Sequence, residues 1–447
     1  MLRQLLLPAL LVLPSTAGDK PYGLDARPGS RAFLDLPPDD RGAMPALLSR
    51  TGAFRDTRTL TTDPALIPYD VNVPSWSDGA AKSRWISVPG EGSGRAARIG
   101  FSPAGEWTFP AGTVFVKHFE LATDETRPQA RRRLETRLLV RDRTGGVYGA
   151  GYQWRADGTD ADLVEEGRVE PIAIRTAGGW RTQNWNYPGP ADCRQCHNPA
   201  SGGVLGVNAR QLNGDLAYPT GRVDNQLRTW DHLGLFEPAL GESEIPRLPR
   251  LARGDDPARS LEDRARSFLD ANCSQCHRPG GVVADFDARF DTPLAKQGLI
   301  GAPVRIDLAI DGARVIAPND AWRSVLLGRV ETLEPSKMPP LAHEEVDRQG
   351  AGLLRAWIGS LPGTPAPAPP SIRPRSGEYP GAVRLTLDHP DPGATVRYTL
   401  DGSAPGKASP VYSGPIEIRR STTVRARAYK PGWTRSVAAQ ETLIIGD

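Results

Sequence analysis

The 447-residue chain has four cysteines, and all four fall into two copies of one pattern. Cys193-Arg194-Gln195-Cys196-His197 and Cys273-Ser274-Gln275-Cys276-His277 each hold two thiols three positions apart, with an imidazole directly after the second. This spacing is that of c-type haem attachment. Two thiols one short turn apart can each add across a vinyl group of the same porphyrin. The next residue then lies under the ring, where its imidazole binds the iron as proximal ligand. Paired Cys-x-x-Cys also holds zinc, but the usual gap between such pairs is about 15–20 residues. Here 76 residues separate Cys196 from Cys273. A thioredoxin-like centre needs one motif in a βαβ context, and two structural disulfides leave the paired histidines unexplained. The expected cofactors are two covalently bound haem c groups on Cys193, Cys196, Cys273 and Cys276, with His197 and His277 as axial iron ligands.

The ligands for the opposite faces of the irons come from a short inventory, because the chain has only six His and three Met. Ser336-Lys337-Met338-Pro339-Pro340 lies 62 residues beyond Cys276. Two prolines after a Met give a stiff extended loop that can hold a thioether over an iron, so Met338 is expected opposite His277. No Met lies between Cys196 and Cys273. The first iron is left with His118, in the alternating run Val114-Phe115-Val116-Lys117-His118, as first choice and His232 as second. Met44, or no strong protein ligand, remain as further alternatives.

The elements that position these residues follow from local patterning. Leu261, Ala265, Phe268 and Leu269 share one helical face, with Ser260 as N-cap and Asp263 three residues on. Val346, Leu353, Leu354, Trp357 and Ile358 mark a last helix, locally weakened by Gly350 and Gly352. Residues 18–185 carry short β-like runs at 85–88, 113–121, 137–140 and 147–154, separated by turn residues, which predicts an antiparallel β-rich domain. Its Asp70, Asp78 and Asp160 show no metal or catalytic spacing and are expected in turns and caps. The aromatics of Asn184-Trp185-Asn186-Tyr187-Pro188 are candidates to pack on a porphyrin. Pro362 to Pro370 reads as a semi-rigid linker, and residues 371–447 as short strands of a small β-sandwich. At the other end, Arg3, the apolar run Leu5 to Leu13 and Ser15-Thr16-Ala17 have the order of a cleaved secretory signal over 1–17. Nine apolar residues fall short of the roughly 20 a membrane span needs. The expected location is periplasmic or secreted.

Three resemblances add to this. Residues 255–361 resemble a monohaem class I cytochrome c domain, through the leading helix, Cys273 to His277, the Met338-Pro339 loop and the closing helix. The resemblance implies His277 and Met338 as axial pair. Ala394-Thr395-Val396-Arg397-Tyr398-Thr399-Leu400-Asp401-Gly402-Ser403, with Thr423-Val424-Arg425-Ala426-Arg427-Ala428, resembles the C-terminal module of chitobiases and β-hexosaminidases. Residues 40–361 resemble a family of dihaem c-type cytochromes of Gram-negative bacteria. The shared features are Pro68 to Asn72, Trp76 to Ala80, Phe109 to Thr113, Glu135 to Arg137, Gln211 to Asn213 and the two haem motifs.

At roughly 150 residues per domain the length suggests about three domains. The segmentation reads as a signal at 1–17, the β-rich domain at 18–185 and a first haem region at 186–254. A class I cytochrome-like domain at 255–361, the linker at 362–370 and the β module at 371–447 complete it. The expected fold class is multidomain α+β, with a mainly α-helical c-type cytochrome region between two β-rich parts and an immunoglobulin-like sandwich at the end. Lys plus Arg number 55 against 52 Asp plus Glu, a net charge of +3, which argues against a nucleic-acid binder. The leading functional expectation is one-electron transfer between donor and acceptor proteins. An open first iron would instead allow peroxide reduction or oxidation of a small molecule. A purely structural or adhesive role leaves the haem motifs without purpose. Glycan or surface contact is an expectation for the C-terminal module only.

Overall fold

The computed structural model describes residues 20–90, 96–283 and 286–446. The secretory-signal reading of residues 1–17 lies outside them.

Six strands form a meander in which each pairs antiparallel with the next: β1 (Ile67–Tyr69), β2 (Ala81–Ser87), β3 (Val114–Ala122), β4 (Arg131–Arg141), β5 (Val147–Trp154) and β6 (Ala161–Val164). Side chains alternate across such a sheet, so each strand serves two surroundings. Val114 and Val116 of β3, Leu138 and Val140 of β4, and Ala150 and Tyr152 of β5 bury against Leu34, Leu48 and Phe54. On the other face Phe115 joins a core with Trp107, Leu227, Trp230 and Phe236, and Leu139 packs at its edge. Residues 236–237 pair in parallel with 99–100. The segment after the first Cys motif thus shares its core with the sheet. A hairpin, β7 (Arg168–Thr176) and β8 (Gly179–Tyr187), leads into the first motif.

The helices are α1 (Pro190–Cys196), α2 (Ala209–Leu212), α3 (Gln226–His232), α4 (Leu261–Cys273), α5 (Val325–Glu331) and α6 (Arg348–Ser360). The expected mainly α-helical cytochrome region is not what the chain builds. Among the described residues only α4 and α6 reach 13 residues, and turns and Gly/Pro-containing loops make up most of 186–361. The helices end early for local reasons. Gly202, Gly203, Gly206 and Gly280 take positive φ, and Pro279, Pro293, Pro303 and Pro318 interrupt the stretches between them. Taken as a whole, the described chain is β-rich.

Within that region α4 starts as expected, the Ser260 side chain accepting the Asp263 N–H at 3.0 Å. Its Ala265, Phe268 and Leu269 pack on Leu354, Trp357 and Ile358 of α6. Gly350 is what permits the approach. A Cβ there would lie 2.2 Å from the Phe268 ring.

Two sheets make the C-terminal part, and here the all-β expectation agrees with the structure. One is β9 (Ser371–Arg373), β11 (Val383–Asp388) and β13 (Ile416–Ile418). The other is β10 (Gly377–Tyr379), β15 (Ala439–Ile445), β14 (Thr422–Tyr429) and β12 (Thr395–Thr399). Ile372, Leu385, Val424 and Leu443 fill the space between them. The module is docked: Asp311 accepts from Arg427 at 2.9 Å and Arg435 at 2.8 Å. Among the described residues no helix is long and apolar enough to cross a membrane.

Candidate functional site

Both Cys-x-x-Cys-His motifs open into one cleft. Cys193, Cys196 and His197 line it from the end of α1, and Cys273, Cys276 and His277 from the end of α4. The cleft encloses about 1960 Å³, counting its solvent-open part. The motifs meet: the Cys196 and Cys276 thiols lie close enough to influence each other. That influence raises Cys196 and lowers Cys276.

Each motif is held by its surroundings. The Asp192 carboxylate accepts the Gly189 N–H at 2.9 Å and fixes the start of α1. A bare backbone on β5 makes room for the first thiol, because a Cβ at Gly149 would stand 2.9 Å from Cys193 Sγ. His197 Nδ1 meets the Gly203 carbonyl at 2.8 Å, which leaves Nε2 for a metal. The His277 ring stacks on Phe286 with centroids 4.1 Å apart. Burial pushes both imidazoles down to about 4, so both are neutral near pH 7, the form an iron binds. Met338 also lines the cleft, its N–H donating to the Arg329 carbonyl at 2.9 Å.

Two groups of contacts tie the parts together. Arg210, on α2, is buried and reaches Asp270 of α4 at 3.1 Å, Asp291 at 3.1 Å and Glu106 at 3.2 Å. Glu106 also takes Arg278, next to the second motif, at 3.0 Å. The second tie is the segment Trp76-Ser77-Asp78. The Trp76 N–H donates to Asn272 at 2.7 Å and its indole to the Glu345 carbonyl at 2.8 Å. One Asp78 oxygen accepts the Glu344 and Glu345 N–H groups at 2.7 and 2.9 Å. Burial pushes Asp78 up to about 6. The β-rich domain thus grips the loop that carries Met338. The sequence marked Asp78 only as a turn residue, since the partners lie more than 260 positions away.

The other sequence candidates lie elsewhere. His118 sits on the β3 face turned away from the cleft. Its Nδ1 meets Thr136 Oγ1 at 2.9 Å and its ring packs edge-on against Trp154. His232 stacks on Tyr22 with centroids 3.7 Å apart, and its Nε2 meets the Asp25 carbonyl at 3.0 Å, outside the cleft. Met44 packs against the core on the His118 side of the sheet. Trp185 and Tyr187 are buried with Phe119 and Leu134, while Asn186 and Pro188 line the cleft. Asp70 pairs with Arg84, and Asp160 accepts from Ser49.

The cleft face of the sheet carries residues the sequence reading passed over. Arg84, Lys117 and Arg137 stand in register on β2, β3 and β4, and all three line the cleft. Arg84 pairs with Asp70 and Arg137 with Glu135. Among the described residues Lys117 has no ion pair, and its amine lies 5.1 Å from the Phe119 ring centroid. Burial, then Lys82, Arg84 and Arg137, hold it well below the ordinary lysine value. Period-two alternation placed Phe115 and Lys117 opposite to His118, so the signal was present in the sequence.

Residues 374–440 match the family "Chitobiase/beta-hexosaminidase C-terminal domain". This covers most of the two-sheet module and none of the cleft. Neither the curated proteins nor the solved structures contain a match to the chain.

Proposed function

We propose that the chain is an exported dihaem c-type cytochrome that passes single electrons between a donor and an acceptor protein. The observation that carries the reading is the convergence of both Cys-x-x-Cys-His motifs on one cleft, with Cys196 and Cys276 close together. The donor set supports it: four thiols, two neutral imidazoles and one thioether fit two covalently attached porphyrins. Bound haem would supply one-electron cycling between ferric and ferrous iron. The protein's part is to hold the two attachment points together, through the Arg210 cluster, and to fix Met338 on its loop through Asp78 and Trp76. Motifs this close favour direct exchange between the two centres. The glycan or surface contact proposed for the module is a separate matter; it would use exposed aromatics such as Trp433.

A second reading, peroxide or small-molecule chemistry at an open first iron, is favoured by one observation. Neither His118 nor His232 reaches the cleft. Intact mass and a reduced-minus-oxidised spectrum of the purified holoprotein test the first reading. Two covalent haems and two one-electron steps are expected; a mass without haem would overturn it. Carbon monoxide separates the two readings, since it binds only an open iron.

A further inference from the structure

We infer that Lys117 is the sixth ligand of the iron held by His197, its amine taking the place the sequence had offered to His118. The inference rests on the dihaem reading and adds a ligand to it.

The side chains in the cleft able to give a strong-field lone pair are His197, His277, Met338, the cysteines and Lys117. The cysteines are committed to the porphyrins, and each imidazole follows its own attachment pair. Met338 belongs to the segment that follows the second motif, on a loop hydrogen-bonded to α5 through Arg329. Lys117 alone is left. The guanidiniums of Arg84, Arg137, Arg210 and Arg278 give up no proton and cannot bind a metal.

Position then assigns Lys117 to the first centre. It is in register with Arg137 on β4, which is in register with Gly151 on β5. Two residues along that strand, and on the same face, Gly149 receives Cys193. Strands lie about 4.8 Å apart and rise about 3.4 Å per residue. The Lys117 backbone is therefore roughly 12 Å from that of Gly149 across the sheet surface. A lysine stem and a porphyrin anchored at Cys193 can cover that distance between them.

Pairing completes the case. Both flanking cations own a carboxylate, Asp70 for Arg84 and Glu135 for Arg137. The amine between them lies over the Phe119 ring and, among the described residues, has no carboxylate. A lysine kept for charge alone would be expected to hold a carboxylate as its neighbours do. Binding a metal satisfies it instead, with one proton passed to solvent as the nitrogen takes up the bond.

The competing role is an ion pair with a porphyrin carboxylate, which needs charge and no lone pair. Lys117→Arg keeps the charge and removes the lone pair; Lys117→Ala removes both. The test is electron paramagnetic resonance and visible absorption of the ferric holoprotein, then visible absorption of the reduced holoprotein with and without carbon monoxide, with two covalent haems confirmed by mass. In the wild type both haems are expected low-spin. In Lys117→Arg and Lys117→Ala alike, one haem is expected to turn high-spin and bind carbon monoxide, while the centre with Met338 keeps its signature. Added imidazole should restore the low-spin signal. His118→Ala should leave the spectra unchanged. A wild type with one open haem overturns the inference. So do a Lys117→Arg variant that stays low-spin, which identifies the ion pair, and a His118→Ala variant that turns high-spin. Absence of haem from the mass removes the dihaem reading instead.

Discussion

Replacing Arg210 by Met should unfold the link between the two motifs at a cost concentrated on one carboxylate. Arg210 is 2% exposed and has three acidic partners, which do not suffer equally from its loss. Glu106 keeps Arg278 at 3.0 Å and Asn208 at 3.1 Å. Asp291 is a quarter exposed and can be solvated. Asp270 has a side chain only 4% exposed and retains a single N–H, from Phe290 at 2.8 Å. Burial already raises its carboxyl against the pull of Arg210. Breaking a buried pair by removing one partner costs about 3–5 kcal/mol, because the other charge stays buried. That is the loss expected for Arg210→Met in urea unfolding of the holoprotein at pH 7.5, followed by tryptophan fluorescence. The sign with pH follows from Asp270. With Arg210 gone its folded-state pKa lies further above the unfolded value, so the native state binds the extra proton and the deficit shrinks as pH falls. Asp270→Asn in the same background keeps an acceptor for Phe290 without the charge and should recover most of the loss. A single variant costing less than about 1 kcal/mol, the range of an exposed pair, would refute the reasoning. A double variant no better than the single one would also refute it.

Three further outcomes are expected. Asp78 has a folded-state pKa of about 6 against an ordinary 3.8, so its ionisation weakens the native state as pH rises through that window, by about 3 kcal/mol at neutral pH. Asp78→Asn keeps the acceptor for Glu344 and Glu345, so its advantage over wild type in denaturant titrations should grow from pH 4 to pH 7; a pH-independent difference contradicts this. Gly350→Ala puts a methyl 2.2 Å from the Phe268 ring and should cost about 1–3 kcal/mol by overpacking, measured as a lowered urea midpoint, whereas Gly352→Ala, with open space beside it, should be neutral or stabilising. Met338→Ala should lower the potential of one haem in a redox titration and leave the other in place; two unchanged potentials would remove Met338 from the site.

The sequence carried local features better than the architecture. Thiol and imidazole spacing is covalent information and survives any fold. Local signals were also legible where the partner is a few residues away, as with Ser260 capping α4 or the strand over 147–154. Residues 186–361 hold less helix than their resemblance to a helical cytochrome implies, because glycines and prolines hold the loops open. The misplacing of His118 has a sharper cause. Alternation says which residues share a face, here Val114, Val116 and His118, but not what that face meets. The face with two valines turned out to be the one packed on Leu48 and Phe54, and the Nδ1 of its histidine meets Thr136. The grip of Asp78 on Glu344 and Glu345 spans two parts of the chain and leaves no local trace.

The row Arg84, Lys117 and Arg137 shows the same limit from the other side. Like charges directly opposite one another on neighbouring strands are destabilising. Burial adds to that cost, and it is felt as far as Lys82, which is pushed down to about 7 by burial and then by Arg84 and Arg137. A sheet face chosen for stability alone would alternate the signs across the strands, and this one does so only along them, with Asp70 and Glu135 set beside the outer pair. Among the described residues the middle position has no carboxylate partner, at the place where the cleft is lined by the first motif. Where a sequence departs from local consistency without an internal remedy, the remedy is sought in what the site receives. At this site that is a group able to take an electron pair or balance a charge, and the two differ in whether arginine can stand in for lysine.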